Sequence, residues 1–497
     1  MARRFGAPIG EAIKALLPPY VKSLDEIVDV PVPTALPPRP ATFELTAGQS
    51  GALARLESLL DARLHARALI FGVPASGKTE VYLRLIRRAV ADGGQALFLL
   101  PEISLTRPFF DEFAASLSVP VALWHSGLTL RERRRTWLAI SRGAVKVVVG
   151  ARSACLLPFS DLRLAVLDEE QDESFKQDSN SPFYHAREVA LERTKAFGAL
   201  AVLGSATPSL EAWDMARRGE AELLAMPDRV ASSARPPVRT MPPPRFGEVL
   251  SEELVDALQD RLRRGEQSIL LVNRRGFSTL TTCGKCRWID RCKDCGVAKI
   301  QHEKPEGGWV LICHHCGKTW PPPDKCGACG EPAMRASGVG TQRVAAEAKK
   351  RLPGARILRM DRDTVSKEAK LEERVYDKFR AGKADILVGT KLVAKSFHFP
   401  EVTLVGVVDA DTMLHMPDFR SSERTMQLLA QVAGRAGRAD KPGEVLLQTL
   451  SPEHEAIKGA VAGDYGAWAD AELDSRRELS YPPAAGLIRI VLSAPDE

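Results

Sequence analysis

Gly72-Val73-Pro74-Ala75-Ser76-Gly77-Lys78-Thr79 decides how this chain is read. The stretch fits G-x-x-x-x-G-K-[ST] in full. Its setting is also the one the pattern needs, with the apolar run Ala68–Phe71 before it and the amphipathic stretch Glu80–Ala91 after it. Strand, glycine-rich loop and helix in that order bring backbone N–H groups together around a phosphate, and the helix N-terminus adds partial positive charge. Lys78 is placed to neutralise β- and γ-phosphate charge, and Thr79 to ligate Mg²⁺.

Moving outward, strand-length apolar runs recur at Ala96–Leu100, Val145–Val149, Leu164–Leu167 and Leu200–Leu203, with amphipathic stretches between them. Runs that are apolar throughout fit strands covered on both faces, and the alternation predicts an α/β fold with parallel sheets. A Pro-rich interval, Pro236 to Pro244, precedes a second series at Ser268–Val272, Ile357–Met360, Ile386–Val388, Val402–Val408 and Val445–Gln448. We expect an N-terminal remnant and Pro-rich linker over 1–40, a first lobe over 41–235 and a second lobe from 236–282 and 335–452. A cysteine-rich insertion occupies 283–334, and 453–497 begins a further segment.

Leu167-Asp168-Glu169-Glu170-Gln171 closes one of the apolar runs of the first lobe. Asp168 is placed to hold Mg²⁺, directly or through water, and Glu169 to orient or deprotonate an attacking water. Gly204-Ser205-Ala206-Thr207 follows another run, where small hydroxyl residues can link a nucleotide site to the second lobe or simply cap a helix. In the second lobe, Gln431-Val432-Ala433-Gly434-Arg435-Ala436-Gly437-Arg438 carries arginines three residues apart, on one face if helical. An arginine reaching a γ-phosphate from a second lobe stabilises transition-state charge; a solvated basic face is the other reading.

The composition is globular, 44% hydrophobic and 27% charged, and no apolar run reaches membrane-spanning length. The basic start, Met1 to Arg4, is not followed by an apolar signal core, so the expected location is the cytosol. A net charge of +6 permits a nucleic-acid partner without demanding one.

Eight of the 9 cysteines form four Cys-x-x-Cys pairs: Cys283/Cys286, Cys292/Cys295, Cys313/Cys316 and Cys326/Cys329. In a cytosolic chain this spacing reads as two tetrahedral Cys₄ zinc sites, structural because no position is left open for a catalytic water. Redox cysteines or an iron–sulfur cluster are the alternatives, and spacing alone leaves open which pairs combine. His302, His314 and His315 are read as bystanders, and Cys155 as a small buried residue.

Taken in order, these blocks resemble the primosomal replication-restart helicases, the PriA (primosomal protein N′) family of superfamily 2. The resemblance runs from about Leu45 to Glu453. It includes Leu45-Thr46-Ala47-Gly48-Gln49, Gly72–Glu80, Pro101–Thr106, His125-Ser126-Gly127, Ala151-Arg152-Ser153-Ala154, Asp168–Gln171 with Phe175-Lys176-Gln177, and Tyr184-His185-Ala186-Arg187. It continues through Gly204–Ser209, Asn273–Gly276, the eight cysteines, Gly338–Thr341, Gly389-Thr390, Asp418-Phe419-Arg420 and Gln431–Arg438. The resemblance implies two RecA-like P-loop NTPase lobes and ATP-driven 3′→5′ movement on DNA at stalled or abandoned forks. It implies primosome proteins and single-stranded DNA-binding protein as partners, and a monomer.

The resemblance further implies nucleotide contacts from Gln49 and from Gly72, Val73, Pro74, Ala75, Ser76, Gly77, Lys78, Thr79 and Glu80, with Arg435 and Arg438 as the catalytic arginines. Zinc would join Cys283/Cys286 to Cys326/Cys329, with Cys292/Cys295 and Cys313/Cys316 nested inside. DNA contacts fall to Arg152, Lys395 and the aromatic stretch Phe175–Tyr184, where the rings of Phe175, Phe183, Tyr184 and the adjoining His185 fit base stacking, with Lys176 near the backbone; rings packed beneath a loop are the alternative. The chain departs from the family at Gln171, where the pattern has histidine, and at Lys395-Ser396-Phe397, where it has Lys-Gly-His. Residues 7–19 resemble only the tail of a 3′-end-binding domain, no winged-helix domain is recognised, and Tyr481-Pro482-Pro483 is where the family's C-terminal domain begins. Weak recognition of a fork's 3′ end is the expectation. A DNA-binding loading scaffold with little ATPase activity and an RNA-directed helicase are the alternative functions.

Overall fold

In the computed structural model, residues 5–17 and 44–488 are described, apart from 102–106, 118, 231–234, 245–247, 273–278, 287, 295, 304–306, 314–315, 338–339, 362–368, 391–398, 400, 417, 435 and 437–440. Arg435, Arg438, Lys395, Ser396, Phe397, Cys295, His314, His315, Asn273–Gly276 and the Pro-rich linker therefore lie outside the described residues. The chain forms two compact units, Met1–Ser232 and Ser233–Glu497. The expected α/β architecture with two parallel sheets is what folds.

The first unit is built on seven parallel strands in the order β3-β4-β2-β5-β6-β1-β7. They are β1 (Ala66–Gly72), β2 (Gln95–Leu99), β3 (Val121–Trp124), β4 (Val147–Gly150), β5 (Leu162–Asp168), β6 (Leu200–Ser205) and β7 (Glu222–Met226). The central strands are buried along nearly their whole length, as their unbroken apolar runs require. Leu56, Tyr82, Leu85, Ile86 and Phe98 pack one face of the sheet. β6 lies between β1 and β5, with Phe71 opposite Ser205 and Asp168 opposite Gly204. The carboxyl ends of these three strands therefore carry the phosphate loop, the acidic segment and the Gly204–Thr207 segment side by side, where open parallel sheets place their ligands.

The second unit has a six-stranded parallel sheet, β15-β16-β9-β17-β18-β8. Its strands are β8 (Val238–Met241), β9 (Gln267–Leu271), β15 (Ile357–Met360), β16 (Ile386–Gly389), β17 (Val402–Val407) and β18 (Glu444–Gln448). Between β9 and β15 the chain leaves for an antiparallel sheet, β13-β12-β11-β10-β14, which carries the cysteines. These strands are β10 (Thr279–Cys283), β11 (Ile300–Glu303), β12 (Trp309–Ile312), β13 (Thr319–Trp320) and β14 (Met334–Ser337). The segment after Leu450 supplies helices Glu455–Ala462 and Tyr465–Glu478, and the latter is ion-paired through Arg476 to Glu423 of helix Ser421–Ala433. Among the described residues no helix is long and apolar enough to cross a membrane.

Candidate nucleotide site and cysteine clusters

β1 delivers the chain into the phosphate loop, and helix Lys78–Ala91 takes it out. Gly77 caps that helix at φ 76, a conformation that costs an L side chain energy. A Cβ at Gly77 would also sit 2.1 Å from the amide nitrogen of Gln49. Gln49, itself buried, donates from Nε2 to the carbonyls of Ser76 (3.0 Å) and Gly77 (3.4 Å). Its Oε1 accepts from the Thr46 N–H at 2.9 Å, so one capping box fixes both helix Ala47–Asp61 and the side chain that braces the loop. Lys78 Nζ donates to the Gly72 carbonyl at 2.9 Å, which holds the ammonium across the loop. The Ser76 hydroxyl is buried with no hydrogen-bond partner among the described residues. An unsatisfied donor beside a lysine and a helix N-terminus suits an anion, so the loop passes a physical test for nucleotide phosphate.

Asp168 ends β5, and its Oδ1 accepts a hydrogen bond from the Tyr82 hydroxyl at 3.1 Å. Burial pushes the Asp168 carboxyl up to about 6; the neighbouring Glu169 charge adds to the rise and Lys78 opposes it. A carboxylate held so unfavourably is suited to a cation, and Thr79 and Asp168 are the oxygen donors that would hold Mg²⁺. Glu169 turns off the strand with φ 49. Its Oε2 accepts from Gln171 Nε2 at 2.6 Å, Gln171 Oε1 accepts from the Ser205 hydroxyl at 2.6 Å, and Ser205 Oγ accepts from the Thr207 N–H at 2.8 Å.

Glu170 faces the other way. Fully buried, it takes Arg187 at 2.9 Å, the Ser209 N–H at 2.6 Å and the Ser209 hydroxyl at 2.9 Å. Burial lifts its carboxyl and Arg187 opposes the rise. Consecutive acidic residues thus divide their work: Asp168 lies within the influence of Lys78, Glu169 is bonded to Gln171, and Glu170 ties the acidic segment to the turn before helix Leu210–Arg217. Sequence reasoning assigned nothing to Glu170 or Arg187, because a buried ion pair is visible only when both partners are placed.

Arg152 donates to the carbonyls of Ser174 (3.1 Å) and Lys176 (2.6 Å), and the Gln177 N–H donates to Tyr184 O at 2.8 Å, closing the loop between them. His185 caps helix Ala186–Phe197, its Nδ1 accepting the Arg187 N–H at 3.2 Å. The expectation of stacking rings needs correction at two positions. Phe175 is 0% and Tyr184 4% exposed, so both rings are packed into the unit and present no face to a base. Lys176 is exposed and Phe183 is 49% exposed. A short loop has no periodicity from which to tell the inward ring from the outward one.

In the second unit the sulfurs of Cys283, Cys286, Cys326 and Cys329 all lie within 4.8 Å of one another. Cys283 to Cys329 is 3.7 Å and Cys286 to Cys326 is 3.5 Å, far too long for a disulfide. These spacings are close to the roughly 3.8 Å expected of thiolates sharing a tetrahedral zinc. The backbone N–H groups of Lys285 and Cys286 point at Cys283 Sγ, those of Ala328 and Cys329 at Cys326 Sγ. The Cys286 N–H pulls the Cys283 thiol down to about 6. Cys292, Cys313 and Cys316 form a second group, with Cys292 to Cys316 at 3.8 Å; Cys295, its expected fourth member, is outside the described residues. Three pairs read Cys-x-x-Cys-Gly, and Gly296, Gly317 and Gly330 donate back to the first cysteine's carbonyl at 2.8, 2.8 and 2.9 Å. The donor chemistry and spacing suit zinc.

With this geometry established, the chain matches two family models: DEAD/DEAH box helicase over residues 53–215 and helicase conserved C-terminal domain over residues 339–440. It is 41% identical over 477 residues to the replication restart protein PriA of Bacillus subtilis, covering 95% of this chain and 59% of that protein. It is 38% identical over 453 residues to replication restart protein PriA of Treponema pallidum, covering 91% of this chain and 68% of that protein. The chain thus spans between about half and two thirds of the length of such relatives. Among solved structures it is similar in fold to RecG bound to a three-way DNA junction, with TM-score 0.50 and 16% identity over 87% of this chain and 47% of that one. The DEAD-box helicase Mss116 bound to single-stranded RNA gives TM-score 0.50 and 13% identity over 88% of this chain and 82% of that one.

Proposed function

The chain belongs to the replication restart PriA family of superfamily 2 helicases, and from that premise we propose that it hydrolyses ATP to move 3′→5′ along DNA. The observation that carries the reading is the meeting of the phosphate loop with Asp168 and Glu169 at the carboxyl ends of β1, β5 and β6. Lys78 and the loop N–H groups bind the phosphates, and Gln49 keeps the loop in shape. Thr79 and Asp168 would hold Mg²⁺, which would offset charge on the phosphate oxygens. Glu169, oriented by Gln171, positions the attacking water and takes its proton. The bond from Gln171 to Ser205 connects that base to the Gly204–Thr207 segment. Arg435 and Arg438 act on the charge that develops at the γ-phosphate.

On the DNA side, Phe183 and Lys176 replace the buried Phe175 and Tyr184 as the surface of the loop, with Arg152 holding its backbone from beneath. Lys395 is a further DNA contact. The cysteines of the two clusters would hold structural zinc, which would organise the insertion. In the cell this activity serves primosome assembly at stalled or abandoned forks, in the cytosol, with primosome proteins and single-stranded DNA-binding protein as partners and the chain acting as a monomer.

Steady-state ATP hydrolysis with and without single-stranded DNA, and with a matched RNA, tests the reading. Strong DNA stimulation, lost in K78A, is the expected outcome, and strand displacement from 3′- or 5′-tailed duplexes then fixes direction. DNA binding without stimulated turnover would favour a loading scaffold, and preferential stimulation by RNA would overturn the DNA assignment.

A further inference from the structure

Tyr82 stands one turn into helix Lys78–Ala91, four residues after Lys78, and no motif draws attention to it. Its ring is fully buried and tilted against Phe98 at 5.8 Å between centroids. Its hydroxyl does not end in the apolar core: it reaches Asp168 Oδ1 at 3.1 Å. The room for it comes from β6. A Cβ on Gly204 would lie 1.7 Å from the Tyr82 hydroxyl and 3.5 Å from Asp168 Oδ1. A phenol, a glycine and a carboxylate from three separate elements thus form one slot, and each side of it is needed for the other two.

We propose that Tyr82 is a positioning residue for the metal-holding Asp168, acting through the hydrogen bond its phenol donates across Gly204. The inference rests on the nucleotide-site reading above. A carboxylate at the end of a strand can rotate about its last torsion, and a buried donor on one oxygen opposes that rotation. Opposite an ionised carboxylate, which can only accept, the phenol acts as the donor. Because the phenol also sits on the helix that carries Lys78 and Thr79, the orientation of Asp168 is tied to the element that holds the phosphates.

The variant Tyr82→Phe removes the donor and keeps the ring. Binding of a fluorescent ATP analogue, followed in EDTA and across a Mg²⁺ series, reads the metal-dependent part without requiring turnover; Mn²⁺ titration by electron paramagnetic resonance reads the ion itself. Y82F is expected to bind the analogue in EDTA as the unmodified chain does. It should need roughly tenfold more Mg²⁺ for half-maximal tightening, the scale on which partners of metal ligands act. Gly204→Ala keeps the tyrosine but displaces its hydroxyl, and is expected to shift the Mg²⁺ requirement the same way. Unchanged Mg²⁺ dependence in both variants, or equal weakening with and without metal, would overturn the proposal and leave the nucleotide site standing. Failure of the unmodified chain to bind the analogue in any condition would overturn both.

Discussion

At position 171 both ends of one side chain are in use. Gln171 donates to Glu169 at 2.6 Å and accepts from Ser205 at 2.6 Å, a pairing a neutral amide satisfies at any pH. The family pattern has histidine here; the structure gives each end of the glutamine amide a partner. Q171A is expected to lower DNA-stimulated kcat roughly tenfold, the cost of a hydrogen bond to a charged group, with little change in the ATP KM. Q171H should behave differently. A neutral imidazole can donate to Glu169 and accept from Ser205, but an imidazolium has no acceptor left. Glu169 raises the imidazole pKa above about 6.5. Stimulated turnover of Q171H should therefore hold near about pH 8 and fall as pH drops through that raised pKa, at a higher pH than the acid limb the unmodified chain owes to its own carboxylates. Coincident pH–rate profiles for the two proteins would contradict the assigned bond.

The elements were legible in the sequence where burial is complete on both faces and obscure where it is not. β2, β4, β6, β9 and β17 read as unbroken apolar runs because each has neighbours on both sides. β3, β7 and β8, which the apolar-run reading passed over, are all edges of the two parallel sheets; the fourth edge, β15, was legible because Ile357–Met360 is apolar but for Arg359. An edge strand has one neighbour and a partly wetted face, as in the partly exposed Glu222–Met226, so its sequence mixes polar and apolar residues. The cysteine pairs gave the insertion away at once, yet its antiparallel sheet has short strands that only the cysteine clusters explain. C326S removes a buried thiolate that two backbone N–H groups address. It is expected to lower bound zinc from about two ions per chain to about one and to open the insertion to protease. Undiminished zinc by elemental analysis would break the assigned cluster. The ion pair of Arg476 with Glu423, 3.0 Å apart, holds helix Tyr465–Glu478 to helix Ser421–Ala433, and both side chains are 3% exposed. R476M strands a buried carboxylate and should cost about 3–5 kcal/mol in urea unfolding. The double variant R476M/E423Q should recover much of that loss, whereas equal losses would mean that packing of the arginine stem matters more than its charge.

For the molecule as a whole, a net charge of +6 from 69 basic and 63 acidic residues is too small to hold DNA by its general field. Affinity must then come from a limited set of local contacts, and each kind leaves its own mark on salt dependence. A lysine that neutralises one phosphate of a single strand contributes about 0.7 to the slope of log K against log salt, whereas a stacked ring contributes affinity, about 1–3 kcal/mol, with no slope. The loop from Phe175 to Tyr184 offers one residue of each kind, together with a buried control. K176A is expected to weaken binding alike for every DNA sequence and to reduce the slope by about 0.7. F183A should weaken binding by about 1–3 kcal/mol and leave the slope alone. F175A acts on neither: its ring is fully buried, so the loss, about 3–5 kcal/mol, should appear in unfolding of the unit that holds the phosphate loop. Fluorescence anisotropy over a salt series, read beside urea unfolding, separates the three. If F175A weakened DNA binding while leaving stability intact, the loop would have to rearrange to bind, and the buried ring would be the one that meets the base.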